Sequence, residues 1–443
     1  MKKTFSMGGI HPHDKKISAE SAIERFPVLS KAYISMSQHI GAPATPIVQK
    51  GDKVLTGQLI ATSSGFISAN IHSSVSGTVS AIEPYQDIAG NPVMHIIIDV
   101  EGDQWDESID RSEEIVRDIK FTPQEILKRI ADCGVIGMGG ASFPTHVKLS
   151  PPPGKKAEIL IINGVECEPY ITSDYRIMVE RPEEILIGAR VMMKALGVSE
   201  GYIGIEVNKP KAIDVMKSFS ASYPEIKVVP LKKKYPQGGE KQLIDAITGR
   251  KVPSMGLPID TGVVVQNCAT ALAVYEAVQK NKPLFEGVVT VTGDCTEQQR
   301  NFLLRVGTPI DALLNSVGRL PKDAAKLISG GPMMGKAVSN ISAATVKSTS
   351  SLLVLTSEQT LRKEEGECIR CAKCAAACPM GLEPFLLNKL ARAGRYADLE
   401  RERVYDCIEC GCCMYTCPAN IPLLDYIRIS KADVLKILRS RPK

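Results

Sequence analysis

Apolar residues along this chain follow two different periods, and the switches between them divide it into four modules. From 1 to 115 the pattern is one of short alternating runs broken by glycine. Almost no helical period appears between Gly41 and Val100, which predicts strands and tight turns. From 121 to 260 continuous apolar runs alternate with amphipathic ones. Thr122 predicts a helix cap ahead of Pro123, Glu125, Ile126 and Ile130. Residues 158–162, 201–206 and 225–229 read as strands, and 182–196 and 210–218 as helices. This alternation predicts a Rossmann-like α/β layer, in which ligands bind beyond the strand ends. From 261 to 345, strands at 263–265 and 288–293 and helices at 269–278 and 309–317 precede a glycine turn at 330–335, predicting a small β-grasp-like domain. Residues 348–360 supply a strand and a linker, 361–430 a module with a helix at 382–393, and 431–443 a basic tail.

At 443 residues and 48.0 kDa the chain is too long for one core. A fold class of α/β multidomain follows. No window carries the eighteen or so uninterrupted apolar residues that a membrane span needs. The formal charge of +5 is modest, basic and acidic residues are interspersed, and no aromatic-basic stripe appears, so nucleic acid is not an expected partner. Residues 425–443 hold six Lys and Arg against two Asp, a bias that suits an acidic partner, an anionic membrane surface or a solvated helix end.

In the first module, segments 47–54, 57–60 and 72–79 are strand-like, with Gly51-Asp52 and Ser76-Gly77 at tight turns. The pattern resembles the barrel-sandwich fold of lipoyl and biotinyl carriers. Those domains carry a modified lysine at a hairpin turn. The corresponding turn here, Ser74-Val75-Ser76-Gly77, has none, so docking or scaffolding is expected in place of a swinging arm. His11 and His13, following Gly8-Gly9, lack the further ligands that a zinc site normally uses.

The strongest chemical signal lies near the end of the chain. Cys368, Cys371, Cys374 and Cys378-Pro379 are matched by Cys407, Cys410, Cys413 and Cys417-Pro418. In paired cubane clusters with this spacing, the fourth cysteine of each run ligates the other cluster. The expected ligand sets are Cys368, Cys371, Cys374 with Cys417, and Cys407, Cys410, Cys413 with Cys378. Zinc usually takes two short pairs of ligands, and disulfides need a secretory context that the sequence does not signal. Cys412 is expected to be a non-ligand. Thiolate clusters imply a reducing compartment.

Three polar loops stand where an α/β sheet presents ligand contacts. The first, 137–148, carries Gly137, Gly139, Gly140 and Lys148, suited to backbone approach and charge neutralisation at a phosphate. It is neither a G-x-G-x-x-G turn nor a P-loop. The second holds Asn163, Glu166 and Glu168, whose polar groups could order a nucleotide. The third holds Tyr235, Gly238, Gly239 and Glu240, with Tyr235 suited either to stacking on a ring or to a structural role.

With these motifs in place, the chain resembles the C subunit of the Rnf/Rsx ion-translocating oxidoreductase complex over nearly its full length. The module order, Gly8-Gly9-Ile10-His11-Pro12 and the paired cysteine runs carry the likeness. The middle also resembles the flavin-bearing, NADH-oxidising subunit of respiratory complex I. That likeness implies FMN near Gly137, Gly139, Gly140 and Lys148, and adds Gln266, Asn267 and Thr270 as a fourth contact segment. It departs where Met138 replaces an arginine and Gly239-Glu240 replaces two glutamates. The resemblance implies transfer from NADH through FMN to two [4Fe-4S] clusters, or the reverse. Implied partners are integral membrane subunits, an iron–sulfur subunit of the same complex and, at complex level, ferredoxin. The implied location is peripheral, on the cytoplasmic face of the bacterial cell membrane. The competing expectations are a soluble NADH dehydrogenase subunit without ion pumping and an iron–sulfur adaptor that lacks flavin.

Overall fold

The computed structural model describes residues 3–441. At its centre is a four-stranded parallel sheet in the order Ile226–Leu231, Glu200–Glu206, Ile159–Asn163, Val263–Asn267. Helices cover both faces, which is why these strands are nearly continuous in apolar residues. Leu160, Ile162, Ile203 and Val264 pack under helices Pro182–Leu196 and Cys268–Gln279. Ile161, Val263 and Val265 face Leu243, Ile244 and Ile247 of helix Glu240–Thr248. Helix Pro123–Asp132 starts at the expected cap, where Thr122 and Glu125 exchange hydrogen bonds in a capping box.

The expected boundary at 260/261 is corrected by the strand pairing. Val263–Asn267 lies in register beside Ile159–Asn163, and helix Cys268–Gln279 shares its core, so both belong to the α/β layer. Local pattern shows a strand and a helix but not which sheet the strand joins. The third module forms a separate sheet in the order Arg300–Arg305, Glu286–Thr292, Ser351–Thr356, Ala324–Ser329, Lys336–Ala337. Its first and last strands run parallel at the centre, with helix Ile310–Asn315 packed on the sheet, and this is the β-grasp arrangement. Its last strand extends past the expected limit of 345. Its edge is extended by Ile23–Arg25, a strand outside the barrel's own two sheets.

That barrel module comprises two small sheets. Lys31–Ser35, Pro92–Val100, Gly77–Gln86 and Lys53–Val54 form one, and Thr45–Pro46, Leu59–Thr62 and Ile71–His72 the other. They enclose Ile34, Ile60, Ile71, Val79, Ile96 and Ile98 as a barrel-sandwich core.

The last module repeats itself at an interval of 39 residues. Helices Lys373–Ala376 and Pro384–Arg392 recur as Cys412–Tyr415 and Leu423–Ser440 (412 − 373 = 423 − 384 = 39). The expected tail from 431 is the second half of that last helix. Val434 is buried in the cluster-module core, and Lys431 Nζ donates to the Cys407 carbonyl at 2.7 Å and to Glu409 at 2.9 Å. The last two residues of the expected tail lie outside the described residues. Among the described residues, no helix is long and apolar enough to cross a membrane.

Candidate cofactor crevice and cluster centre

Asn163 and Asn267 end adjacent parallel strands and face each other in register. Carboxyl ends of parallel strands are where open α/β sheets hold ligands. Asn163 Nδ2 donates to the Gly238 carbonyl at 2.9 Å, which ties the second loop to the third. Asn267 caps helix Cys268–Gln279 by accepting from Ala269 N at 2.7 Å, and donates to Asp174 Oδ2 at 2.7 Å. Thr270 Oγ1 accepts from Met138 N at 2.9 Å, anchoring the glycine-rich loop to the same helix. Gly137 N donates to the Phe143 carbonyl at 2.8 Å and closes that loop's base.

Gly139 has φ +78°, and a Cβ there would meet Asn267 Nδ2 at 2.7 Å. Only a bare backbone fits this approach. Gly140 is exposed, with open space where a side chain would project. Lys148 Nζ pairs with Glu240 Oε1 at 2.5 Å across the mouth, both partly exposed, and Gly239 precedes Glu240 as the helix cap. Gln266 Nε2 is buried without a protein partner. Open glycine amides, one lysine and an unpaired amide donor are the donor set that a flavin phosphate and ring system require, so these residues fit FMN.

Glu166 and Glu168 occupy the second loop but turn inward. The Glu166 carboxylate accepts from Asp174 N at 2.7 Å and Tyr175 N at 3.3 Å at the start of helix Ser173–Glu180. It also faces Lys16 at 3.9 Å. Burial pushes its pKa up, with Lys16 opposing the shift. Glu168 accepts from Met333 N at 3.0 Å and Met334 N at 2.9 Å in the β-grasp turn, and burial raises it to about 7 despite those donors. A nucleotide-ordering role for either carboxylate is therefore corrected to an internal one. Beneath them lie Lys209, whose Nζ donates to the Val165 carbonyl at 2.7 Å, and Glu206, both buried. Glu206 and Lys209 follow the same strand-end rule that identified Asn163, whereas Lys16 and Asp174 carry no local signal.

Tyr235 takes the structural one of its two expected roles. Its ring is 2% exposed and packs against Ile10, Ala377, Cys410 and Cys412. The hydroxyl donates to the Cys410 carbonyl at 3.0 Å, with Glu168 Oε1 at 3.4 Å. It joins the crevice loop to the cysteine module and does not present its face to a ligand. Gly238 N, in the same loop, points to Cys167 Sγ at 3.3 Å.

The cysteine runs share their backbone geometry as well as their spacing. Left-handed φ values recur at equivalent places: Arg370 and Glu409, Ala372 and Gly411, Gly381 and Asn420. These bends turn amides toward sulfur, with Leu382 N at 3.4 Å from Cys378 Sγ and Glu409 N at 3.4 Å from Cys407 Sγ. The runs also interleave. Burial, and then the thiols of Cys407, Cys410 and Cys378, raise the Cys413 pKa. Burial likewise raises Cys374, whose thiol neighbour is Cys417. Cys378 is thus a neighbour of Cys413 in the second run, and Cys417 a neighbour of Cys374 in the first. Cys412 is fully buried, with Sγ 3.9 Å from the Tyr235 carbonyl oxygen. Cys378, Cys410 and Cys413 are buried, whereas Cys368 and Cys371 are exposed, so one set is inner and the other outer.

A barrel-sandwich module, an α/β cofactor crevice and two cysteine sets, one inner and one outer, define an electron-transfer subunit that works with FMN and two [4Fe-4S] clusters. Three family models cover these parts: an RnfC barrel sandwich hybrid domain over residues 3–103, a Nuo51 FMN-binding domain over 130–276 and a 4Fe-4S dicluster domain over 360–418. The chain belongs to the family of C subunits of ion-translocating oxidoreductase complexes. It is 45% identical to the C subunit of the proton-translocating ferredoxin:NAD(+) oxidoreductase complex of Clostridium ljungdahlii, over 98% of this chain and 94% of that one. It is 40% identical to the Na(+)-translocating counterpart of Acetobacterium woodii, over 97% and 96%. The C subunit of the ion-translocating oxidoreductase complex of Rhodobacter capsulatus is 41% identical over 97% of this chain and 83% of its own.

Proposed function

We propose that this chain is the peripheral subunit through which a membrane-bound ferredoxin:NAD(+) oxidoreductase exchanges electrons with NADH, on the cytoplasmic face of the membrane. Gly137, Gly139, Gly140, Lys148, Asn163, Gly238, Gly239, Glu240, Gln266, Asn267 and Thr270 form the crevice for FMN. Lys148 neutralises the phosphate, the open amides of Gly139 and Gly140 cradle it, and the two asparagines hold the neighbouring loops in place. When bound, FMN supplies the exchange between a two-electron hydride donor and one-electron centres. The chain's own contribution is position: the crevice loop and the inner cysteine set share Tyr235, and the outer set opens to solvent.

The observation that carries the reading is this gradient from buried to exposed. Cys410, and Ala377 next to Cys378, pack against Tyr235 of the crevice loop, while Cys368 and Cys371 are exposed, where partner subunits of the complex can approach. The inner set is the entry from the crevice and the outer set the exit. Anaerobic purification with iron, sulfide and FMN quantified, followed by NADH titration watched by visible and EPR spectroscopy, tests this. About eight irons, one flavin and NADH-reducible clusters are expected. Eight irons without a flavin, in protein also supplied with FMN, would reject it in favour of an adaptor.

A further inference from the structure

Gly8-Gly9-Ile10, near the start of the chain, lies between the crevice and the inner cluster, and none of the three belongs to either ligand set. Ile10 and Tyr235 pair as an antiparallel bridge, with Ile10 N to Tyr235 O and Tyr235 N to Ile10 O both at 2.8 Å. One residue earlier, Gly9 N donates to the Ala377 carbonyl at 2.9 Å. Ala377 immediately precedes the cluster ligand Cys378. Two consecutive residues, Gly9 and Ile10, therefore hydrogen-bond the inner cysteine set on one side and the crevice loop on the other.

The two glycines leave no room for anything larger. Gly8 has φ +61°, and a Cβ there would collide with the backbone carbonyl of Cys378. Gly9 has φ +88°, and a Cβ would meet Phe5 Cζ and Lys234 Cε at 2.7 Å and the Tyr235 carbonyl oxygen at 2.9 Å. Such φ values already disfavour side chains. Phe5, buried in the core beside the α/β sheet, and the Ser6–Asp245 hydrogen bond at 2.9 Å fix the segment's other end. Met7 Sδ stands 2.8 Å from where a Cβ on Gly381 would be, so the strap also closes over the turn after Cys378.

We infer that Gly8 and Gly9 are positioning residues for electron transfer: the Gly8–Ile10 strap sets the separation between the cofactor crevice and the inner cluster. This rests on the functional reading above. Oxidation of one NADH releases two electrons and one proton, and the two clusters take one electron each. The strap takes no part in that balance. It governs how closely donor and acceptor are held, and displacement by even about 1 Å can cost large factors in rate.

The test compares Gly8→Ala and Gly9→Ala with Gly51→Ala in the full-length holoprotein. Gly51 has φ +95° but open space around it, so its variant carries the backbone strain without the collision. In Gly8→Ala, we expect iron and FMN to be retained and dithionite to reduce both clusters fully. Reduction by NADH should slow by roughly tenfold or more. The EPR signal of the inner cluster should change while that of the outer one does not. A strap that merely stabilised the fold would leave the NADH-to-dithionite difference and the inner signal untouched. Should Gly8→Ala fail to hold iron, Gly9→Ala, whose methyl meets Phe5, Lys234 and the Tyr235 carbonyl less closely than that of Gly8→Ala meets Cys378, decides alone. Rates and spectra matching Gly51→Ala would overturn the strap. Wild-type clusters that NADH never reduces would instead overturn the functional reading.

Discussion

The phenolic oxygen of Tyr235 lies 3.0 Å from the carbonyl oxygen of Cys410. One side chain thereby spans from the loop that lines the crevice to the backbone that wraps the inner cluster. Replacing Tyr235 with Phe keeps the ring and its burial and removes only the donor. The loss costs about 1 kcal/mol of stability, as for a typical hydrogen bond. Freed of its donor, the Cys410 carbonyl presents more negative potential to the cluster, and hydrogen bonding near a cluster tunes its potential. EPR-monitored redox titration of Tyr235→Phe should show the inner cluster's midpoint potential falling while the outer one stays.

Cross-ligation makes the fourth cysteine of each run decisive. Cys378→Ser should abolish or strongly perturb the inner cluster and spare the outer, and Cys417→Ser should do the opposite. Each change removes up to about four irons. Cys412→Ala should retain both clusters, although Cys412 lies between two ligands of the inner one. Iron analysis with EPR of the reduced proteins distinguishes the three. An outer cluster lost from Cys378→Ser would mean that each run ligates its own.

Lys148 offers the one cationic side chain among the assigned crevice residues, paired with Glu240 at 2.5 Å. Hydrogen bonds to charged groups are worth about 1.5–3 kcal/mol, so Lys148→Gln should weaken FMN roughly ten- to a hundredfold. Titrating flavin-depleted protein with FMN by fluorescence gives the value, and iron content should be unchanged. An unaltered affinity would place the phosphate elsewhere.

Glu168 should make stability fall with pH across the acid side of neutrality. Burial raises its folded pKa to about 7 from an ordinary value of 4.5. Between those values the folded protein holds a proton that the unfolded chain has released, so raising pH through this window destabilises the fold. Glu168→Gln cannot titrate. The melting temperature of wild type minus that of the variant should therefore be larger at about pH 5.5 than at about pH 8. A difference independent of pH would show that Glu168 is ionised throughout.

Much of this was legible in local pattern. Helix Pro182–Leu196 begins at a proline and ends at Gly197 in the left-handed region, a start and stop visible in the letters alone. The cysteine runs were legible because their chemistry demands a spacing, and the 39-residue repeat extends from the thiols to the bends and helices around them. Directions were not legible. Glu166 stands after a strand as a ligand-binding residue would, yet the start of helix Ser173–Glu180, which local pattern did not reveal, claims its carboxylate. Tyr235 lies in a glycine loop that left stacking and a structural role open, and Cys410, 175 residues away, decides between them by taking its hydroxyl. Partners that distant leave no trace in a local window. The same holds for Val263–Asn267, whose neighbour in the sheet decides its domain.

The strap at Gly8–Ile10 also bears on how the molecule is made. Its partners are Tyr235 and the Ala377–Cys378 turn, so residues made early must wait for residues made much later. Domains generally fold in order of synthesis. The α/β layer can therefore form, and even receive its flavin, while the segment that will lock it to the inner cluster still lacks half of its seat. Closing that seat requires the Cys378 turn to be in its final shape, a shape that cluster insertion itself helps to set. The join between crevice and cluster thus unites residues far apart in order of synthesis, and it closes only once the Cys378 turn is in place.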